Sequence, residues 1–90
     1  MSVDYLSEPR KAPRMEIVER FASNLRRERL ARGMTQEGLA DAAELHRTHI
    51  SLLEKAKRDP KLTTIAKLAR GLDTTPGQLL RGVSVERTPR

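Results

Sequence analysis

The sequence predicts an all-α protein, a bundle of five short helices. Apolar residues recur at helical spacing in five segments, and the stretches between those segments hold residues that typically end or begin helices. Only Val83 and Val85 alternate with polar residues in the manner of a short strand. Ninety residues without cysteine fit one small domain that has neither disulfides nor thiolate metal sites.

Helix boundaries follow from capping residues and from the apolar spacing. Gly33 suits the left-handed position after a first helix, Thr35 is a good N-cap for a second, and Thr75-Pro76 opens a fifth with a capping-box pattern. Lys61 is a poor cap for the fourth helix. We expect helices at Glu16–Ala31, Gln36–Ala43, Arg47–Lys55, Leu62–Leu72 and from Thr75 onward.

Composition divides the chain into a folded unit and two tails. Residues 1–14 contain two prolines and no hydrophobic period, which favours a flexible basic arm carrying Arg10, Lys11 and Arg14. Residues 15–82 form the predicted domain, and residues 83–90 form a C-terminal tail. Neither a membrane-spanning apolar run nor a signal peptide is evident, so we expect a cytoplasmic protein.

The charge pattern indicates a polyanionic partner. The chain carries 18 basic and 12 acidic residues, a net charge of +6. Residues 34–45 hold three acidic residues and no Lys or Arg, whereas residues 46–61 hold five basic and two acidic ones. A basic block confined to one helix and its following loop suggests a docking face. With only 2% aromatic residues, stacking platforms for single strands are excluded.

Residues 35–54 have the spacing that a helix-turn-helix requires. Ala40 is small where two helices cross, Leu45 provides an apolar plug in the turn, and Ile50 and Leu53 follow at the positions that face the core. The opposite side of the helix that carries Ile50 and Leu53, the third of the five, is then free to reach base edges. A structural helical hairpin without a ligand is the alternative that spacing alone leaves open.

From Phe21 to Leu80 the chain resembles the Cro/cI-type (lambda-repressor-like, Xre) family of DNA-binding domains. The resemblance rests on Leu25-Arg26-Arg27-Glu28-Arg29, Gly33-Met34-Thr35-Gln36-Glu37-Gly38-Leu39-Ala40, Ile50-Ser51-Leu52-Leu53-Glu54, Lys57-Arg58-Asp59-Pro60 and Leu68-Ala69-Arg70-Gly71-Leu72. Residues 45–51 also resemble the recognition region of restriction–modification controller proteins. The family fold has five helices, of which the second and third form the DNA-binding pair.

The resemblance assigns roles to individual residues. Base contacts are implied for Arg47, Thr48, Ser51 and Leu52. Phosphate contacts are expected for Gln36, Lys55, Lys57 and Arg58. For His46 and His49, apart from the resemblance, we expect a phosphate contact or a hydrogen bond to a base edge. Leu52 reads a thymine methyl or packs against the core. Arg29 and Glu54 match a half-buried family ion pair that ties the first helix to the third and has a structural role.

Three positions depart from the family pattern. Glu44 and Ala56 stand where glycine is usual, so we expect either the left-handed conformation, at a cost of about 1 kcal/mol each, or a reshaped turn. His46 replaces the usual Ser or Thr cap of the third helix. His46 and His49 lie three residues apart, but without a third ligand we expect no metal site.

The leading hypothesis is a sequence-specific regulator that binds double-stranded DNA as a homodimer on a palindromic operator. Candidate dimer contacts are Leu79, Leu80 and Val83, for which ordinary core packing is the alternative. No catalytic arrangement, cofactor site or small-molecule site is evident. The rival hypothesis is a protein-interaction module, an antitoxin or an adapter, built on the same fold.

Overall fold

The computed structural model describes residues 13–85, which form five helices. These are α1 (Pro13–Ala31), α2 (Gln36–Ala43), α3 (Arg47–Glu54), α4 (Leu62–Gly71) and α5 (Pro76–Leu79). The all-α prediction is confirmed for this part of the chain, and the alternation at Val83 and Val85 forms no strand. The expected ends of the third and fourth helices, Lys55 and Leu72, are instead the residues that cap α3 and α4.

The first helix begins three residues earlier than its apolar spacing predicted. Pro13 occupies the first position of α1, where a fixed φ and a missing N–H are both compatible with a helix. The sequence prediction placed the same proline in the N-terminal arm. Arg14 therefore belongs to the folded unit, whereas Arg10 and Lys11 lie outside the described residues.

The core is a single cluster in which all five helices take part. The side chains at its centre are fully or almost fully buried, and Met34, Leu45 and Leu80 pack against it. Its members are Phe21, Leu25, Leu39, Ala40, Ala43, Ile50, Leu53, Ile65, Leu68, Ala69, Leu72 and Leu79. Ile50 and Leu53 anchor one side of α3 in this cluster, which leaves the other side of α3 facing outward.

The turns are built largely as the sequence predicted. The Thr35 hydroxyl accepts from Gly38 N at 2.9 Å, and the Thr75 hydroxyl accepts from Gln78 N at 3.3 Å. Lys61 makes no side-chain capping bond. Glu44 and Ala56 both adopt the left-handed conformation, each with φ 59°, which is the first of the two outcomes expected where they replace glycine. These two left-handed residues thus flank α3, and a third non-glycine residue in this conformation, Asp73 with φ 55°, follows α4.

Gly71 lies where α4 meets the end of α2. A β-carbon at this position would stand 3.0 Å from Ala43 N and 3.1 Å from Ala42 C, both of them backbone atoms that cannot turn away. We therefore expect Gly71→Ala to push the two helices apart and to lower the free energy of unfolding by about 1–3 kcal/mol. Urea unfolding followed by circular dichroism measures this, and Gly77→Ala, whose β-carbon would have ordinary contacts, is the matched control. Equal stability of the two variants would contradict the close approach.

The C-terminal segment is fastened to α1 by a buried asparagine. Asn24 Nδ2 donates to the carbonyl oxygens of Leu79 and Arg81, both at 2.9 Å, and Asn24 Oδ1 accepts from Arg27 Nη2 at 2.9 Å. Its polar atoms are therefore satisfied despite burial. Sequence spacing gave no indication of Asn24, because its partners lie 55 and 57 residues away.

The position of Leu79 differs from the sequence prediction that it contacts a second protomer. It was a candidate dimer contact, but its side chain is fully buried in the core of its own chain. A four-residue helix is too short for its apolar spacing to show which residue points inward, and here Leu79 does so. Leu80 and Val83, the other two candidates, are only partly buried.

Candidate nucleic-acid interface

The helix-turn-helix geometry arises from the packing of α2 against α3. Ala40 is buried at the crossing, and Leu45 N donates to Ala40 O at 2.8 Å across the turn. The left-handed conformation of Glu44 allows this reversal within two residues. Ile50 and Leu53 then fix the rotation of α3 about its own axis.

The side of α3 opposite those anchors is accessible. Arg47 and Thr48, in its first turn, are exposed, and Ser51 and Leu52, one turn on, are partly buried. The four predicted base-contacting residues thus lie on one short helix whose inner face is closed by core packing. Leu52 keeps part of its surface in contact with the protein, so both its expected roles are compatible with this placement.

The residues expected to contact phosphate lie on α3, next to either end of it, or at the start of α2. His46, Lys55, Lys57 and Arg58 are exposed, whereas Gln36 and His49 are partly buried. His46 is the N-cap of α3 but its side chain makes no capping hydrogen bond. The backbone N–H groups at the start of α3 give this end a partial positive charge that favours an anion.

An almost fully buried ion pair joins α1 to the end of α3. Arg29 Nε donates to Glu54 Oε2 at 2.6 Å and Arg29 Nη2 donates to Glu54 Oε1 at 2.9 Å. The side chains are only 10% and 4% exposed, so the pair is more deeply buried than the half-buried pair that the resemblance implied. Arg29 Nη1 also donates to Met34 O at 2.8 Å, which ties the chain before α2 to the same guanidinium.

The Arg29 guanidinium remains charged in this environment. Its hydrogen bond to Glu54 raises the pKa of Arg29 above its ordinary value, burial acts in the opposite direction, and the charge of Glu54 adds to the increase. A bidentate contact between two opposite charges in a place with little water has a well-defined geometry. The pair therefore sets the orientation of α3 relative to α1.

Gln36 is held by the same carboxylate. Gln36 Nε2 donates to Glu54 Oε1 at 3.2 Å, which places its side chain between the start of α2 and the end of α3. An amide NH₂ group has two hydrogens, and this bond uses one of them. The expectation of a phosphate contact was based on the resemblance alone, and spacing gave no sign of the bond to Glu54.

Comparison with known proteins identifies the family. A family model described as helix-turn-helix matches residues 25–79, more than half of the chain. The chain belongs to the helix-turn-helix family. It is a DNA-binding transcription regulator of the Xre type, as the resemblance in residues 21–80 predicted. The matched segment contains α2, α3 and both partners of the buried ion pair.

Two characterised members of the helix-turn-helix family are similar over most of this chain. The control protein C.SmaI of Serratia marcescens is 39% identical over 66 residues, which are 73% of this chain and 79% of that protein. The control protein C.BamHI of Bacillus amyloliquefaciens is 39% identical over 61 residues, 67% of this chain and 75% of that one.

A solved helix-turn-helix structure shows the same fold. The restriction–modification controller protein C.AhdI of Aeromonas hydrophila matches with a TM-score of 0.68 and 37% identity, covering 69% of this chain and 94% of that chain. The resemblance of residues 45–51 to controller proteins therefore extends to the whole helix-turn-helix domain.

Within residues 13–85 no group of three or more His, Asp or Glu side chains is arranged to hold a metal ion. No helix in the same range is both long enough and apolar enough to cross a bilayer.

Proposed function

We propose that this helix-turn-helix protein binds a specific palindromic operator as a homodimer, with α3 of each protomer in the major groove. The observation that supports this most directly is the position of α3, anchored by Ile50 and Leu53 on one side and open at Arg47 and Thr48 on the other. One α3 reads only a few base pairs, so a two-fold pair about 34 Å apart is needed for a unique site.

Each residue of the outward face has a proposed role. Arg47 reads guanine through two hydrogen bonds to O6 and N7, which discriminates between bases by about 1–3 kcal/mol. Thr48 and Ser51 offer hydroxyl groups to base edges, and Leu52 contacts a thymine methyl. The proposed phosphate contacts are Gln36, His46, His49, Lys55, Lys57 and Arg58, which position the protein without reading sequence.

Gln36 is suited to its proposed contact by the bond to Glu54. That bond fixes which end of the amide is the NH₂ group, and the second hydrogen remains to donate to a phosphate oxygen. The amide is therefore already oriented before DNA arrives, which reduces the conformational entropy lost on binding.

The dimer contact is proposed for the C-terminal segment after α5. Leu80 and Val83 are partly buried, and Val85 is 62% exposed, so this segment presents apolar surface. Leu79 does not contribute to that surface, because its side chain is buried in the core. The two bonds from Asn24 hold the start of this segment in place on α1. A second copy of the chain covering these residues would give the two-fold arrangement that a palindrome requires.

The names of the relatives support a proposal for the biological role. Because two of them are named as control proteins and a solved neighbour as a restriction–modification controller, we propose that this chain controls the genes of a restriction–modification system. We place it in the bacterial or phage-infected cytoplasm, associated with the nucleoid. The proposal includes no catalytic step, cofactor, metal ion or small-molecule ligand.

Selection of bound duplexes from a random pool tests this function. We expect one enriched sequence with two-fold symmetry and half-sites about 10 base pairs apart, centre to centre. Arg47→Ala should relax the preference at one position of each half-site and should leave binding to non-selected duplexes nearly unchanged. Ser23→Ala, an exposed change on α1, is the control and should reproduce the original site. Loss of affinity for all sequences alike in Arg47→Ala would contradict a base-reading role, and an unenriched pool would refute the function itself.

A further inference from the structure

A positively charged cavity lies beside the end of α3. It lies between the start of α1 and the loop that follows α3, is half open to solvent, and has a volume of about 290 Å³. Its lining residues are Arg14, Met15, Val18, Ala56, Lys57 and Arg58. Three of these six are cations and the other three are apolar, so the lining has no negative charge of its own. Such a lining is suited to an anion the size of a phosphate group.

Arg14 is held at this cavity by an ion pair that opens readily. Arg14 Nε donates to Asp59 Oδ2 at 3.2 Å, and the two side chains are 73% and 50% exposed. Exposed pairs of this kind contribute little to folding, since water screens the charges and both side chains lose rotamer freedom. The guanidinium can therefore exchange a carboxylate for another anion without disturbing the fold.

We propose that this cavity binds a phosphate group of the operator backbone through Arg14, Lys57 and Arg58, with Asp59 competing for Arg14. This inference rests on the proposed function, since it needs a duplex lying along the outward face of α3. Lys57 and Arg58 follow α3 within four residues, so a backbone that passes the end of α3 passes the cavity. Arg14 then adds a cation that comes from the other end of the folded unit.

The structure places Arg14 differently from the sequence prediction. Spacing placed it in a basic arm, with no fixed relation to α3. In the folded chain Arg14 lies next to Asp59 in the loop after α3, although the two residues are 45 positions apart in the sequence. Because α1 is already formed, its guanidinium is presented without the ordering cost that a free arm has on binding. Arg14 is thus a preorganised member of the phosphate-binding set.

The test is a set of equilibrium titrations of the full chain with its selected duplex between 50 and 200 mM salt. Arg14→Ala should weaken binding by about tenfold per protomer and should make the slope of log K against log salt shallower by about 0.9 per protomer. Asp59→Asn should tighten binding by up to about fivefold, because it removes the competing carboxylate. Circular dichroism should show both variants folded.

Two control variants separate a local contact from a general change in charge. Arg70→Ala breaks another exposed pair, Arg70–Glu44 at 3.3 Å. Asp73→Asn removes a negative charge that lies after α4, whereas Asp59 lies before it, and the ten residues of α4 span about 15 Å. Neither residue lines the cavity. Each control should change affinity and slope by less than half as much as its counterpart.

The outcomes distinguish this inference from the function on which it depends. If the unaltered protein binds no selected duplex, the proposed function fails and the cavity has no DNA partner. If the protein binds but Arg14→Ala behaves like Arg70→Ala, or weakens binding with an unchanged salt slope, the phosphate cavity alone is refuted. A slope that becomes shallower in Arg14→Ala but not in Arg70→Ala supports the inference.

Discussion

Replacing Glu54 by glutamine is expected to lower the free energy of unfolding by about 3–5 kcal/mol. The side chain is 4% exposed and accepts two hydrogen bonds from Arg29 and one from Gln36. Glutamine presents an NH₂ group to a guanidinium that can only donate, so the cation stays buried without its counter-charge. A domain of this size has a total stability of only about 4–12 kcal/mol, so much of the population would unfold near physiological temperature.

Urea unfolding monitored by circular dichroism measures this effect. The urea concentration at the unfolding midpoint should fall sharply. The slope of the free energy of unfolding against urea concentration should stay constant, since the same surface is exposed on unfolding. Glu44→Gln is the matched control, because Glu44 forms an exposed pair with Arg70 and its loss should cost less than about 1 kcal/mol. A Glu54→Gln variant as stable as this control would mean that the buried pair has no structural role.

A double replacement separates stability from DNA binding. In Arg29→Met with Glu54→Leu both charges are gone and the space is filled by apolar side chains, so stability should return to within about 1 kcal/mol of the original or exceed it. Gln36 would then have lost the carboxylate that orients it. Weaker operator binding by this stable variant would show that the pair serves recognition as well as folding.

Much of the fold was predictable because its signals are local. Thr35 caps α2 through the hydroxyl that its sequence position implies, and Gly33 ends α1 with φ 66°. Glu44 and Ala56 adopt the left-handed conformation, which the missing glycines predicted. For Thr35 and Gly33 the determining interaction spans only a few residues, and the residue type is sufficient to indicate it. For Glu44 and Ala56 the indication came from the family resemblance, because glycine is usual at both positions.

The features that sequence did not reveal depend on contacts between distant residues. The placement of Leu79 in the core depends on where a four-residue helix packs, and its spacing carries too few residues to define a face. The bonds of Asn24 to the C-terminal segment and of Arg14 to Asp59 join residues 45 or more positions apart. The orientation of Gln36 likewise depends on Glu54, which belongs to another helix.

Binding to the operator is expected to weaken by about 10³–10⁴-fold when salt rises from 50 to 200 mM. Lys55, Lys57 and Arg58 are exposed at the end of α3, so a dimer presents six such cations to the backbone, or eight if Arg14 takes part. Each neutralised phosphate contributes about −0.9 to the slope of log K against log salt, because binding releases condensed counterions. The predicted slope is thus about −5 to −7.

Fluorescence titration of a labelled operator at four salt concentrations gives this slope. Lys57→Ala should make it shallower by about one per protomer and should weaken binding to every duplex alike, since a phosphate contact carries no base information. Lys67→Ala on α4 is the control for loss of an exposed lysine outside the α3 loop. The rival hypothesis, a protein-interaction module, predicts the opposite result, because an apolar protein interface changes little over this range of salt. A nearly flat salt dependence would therefore contradict the placement of α3 against the phosphate backbone and would favour a protein partner.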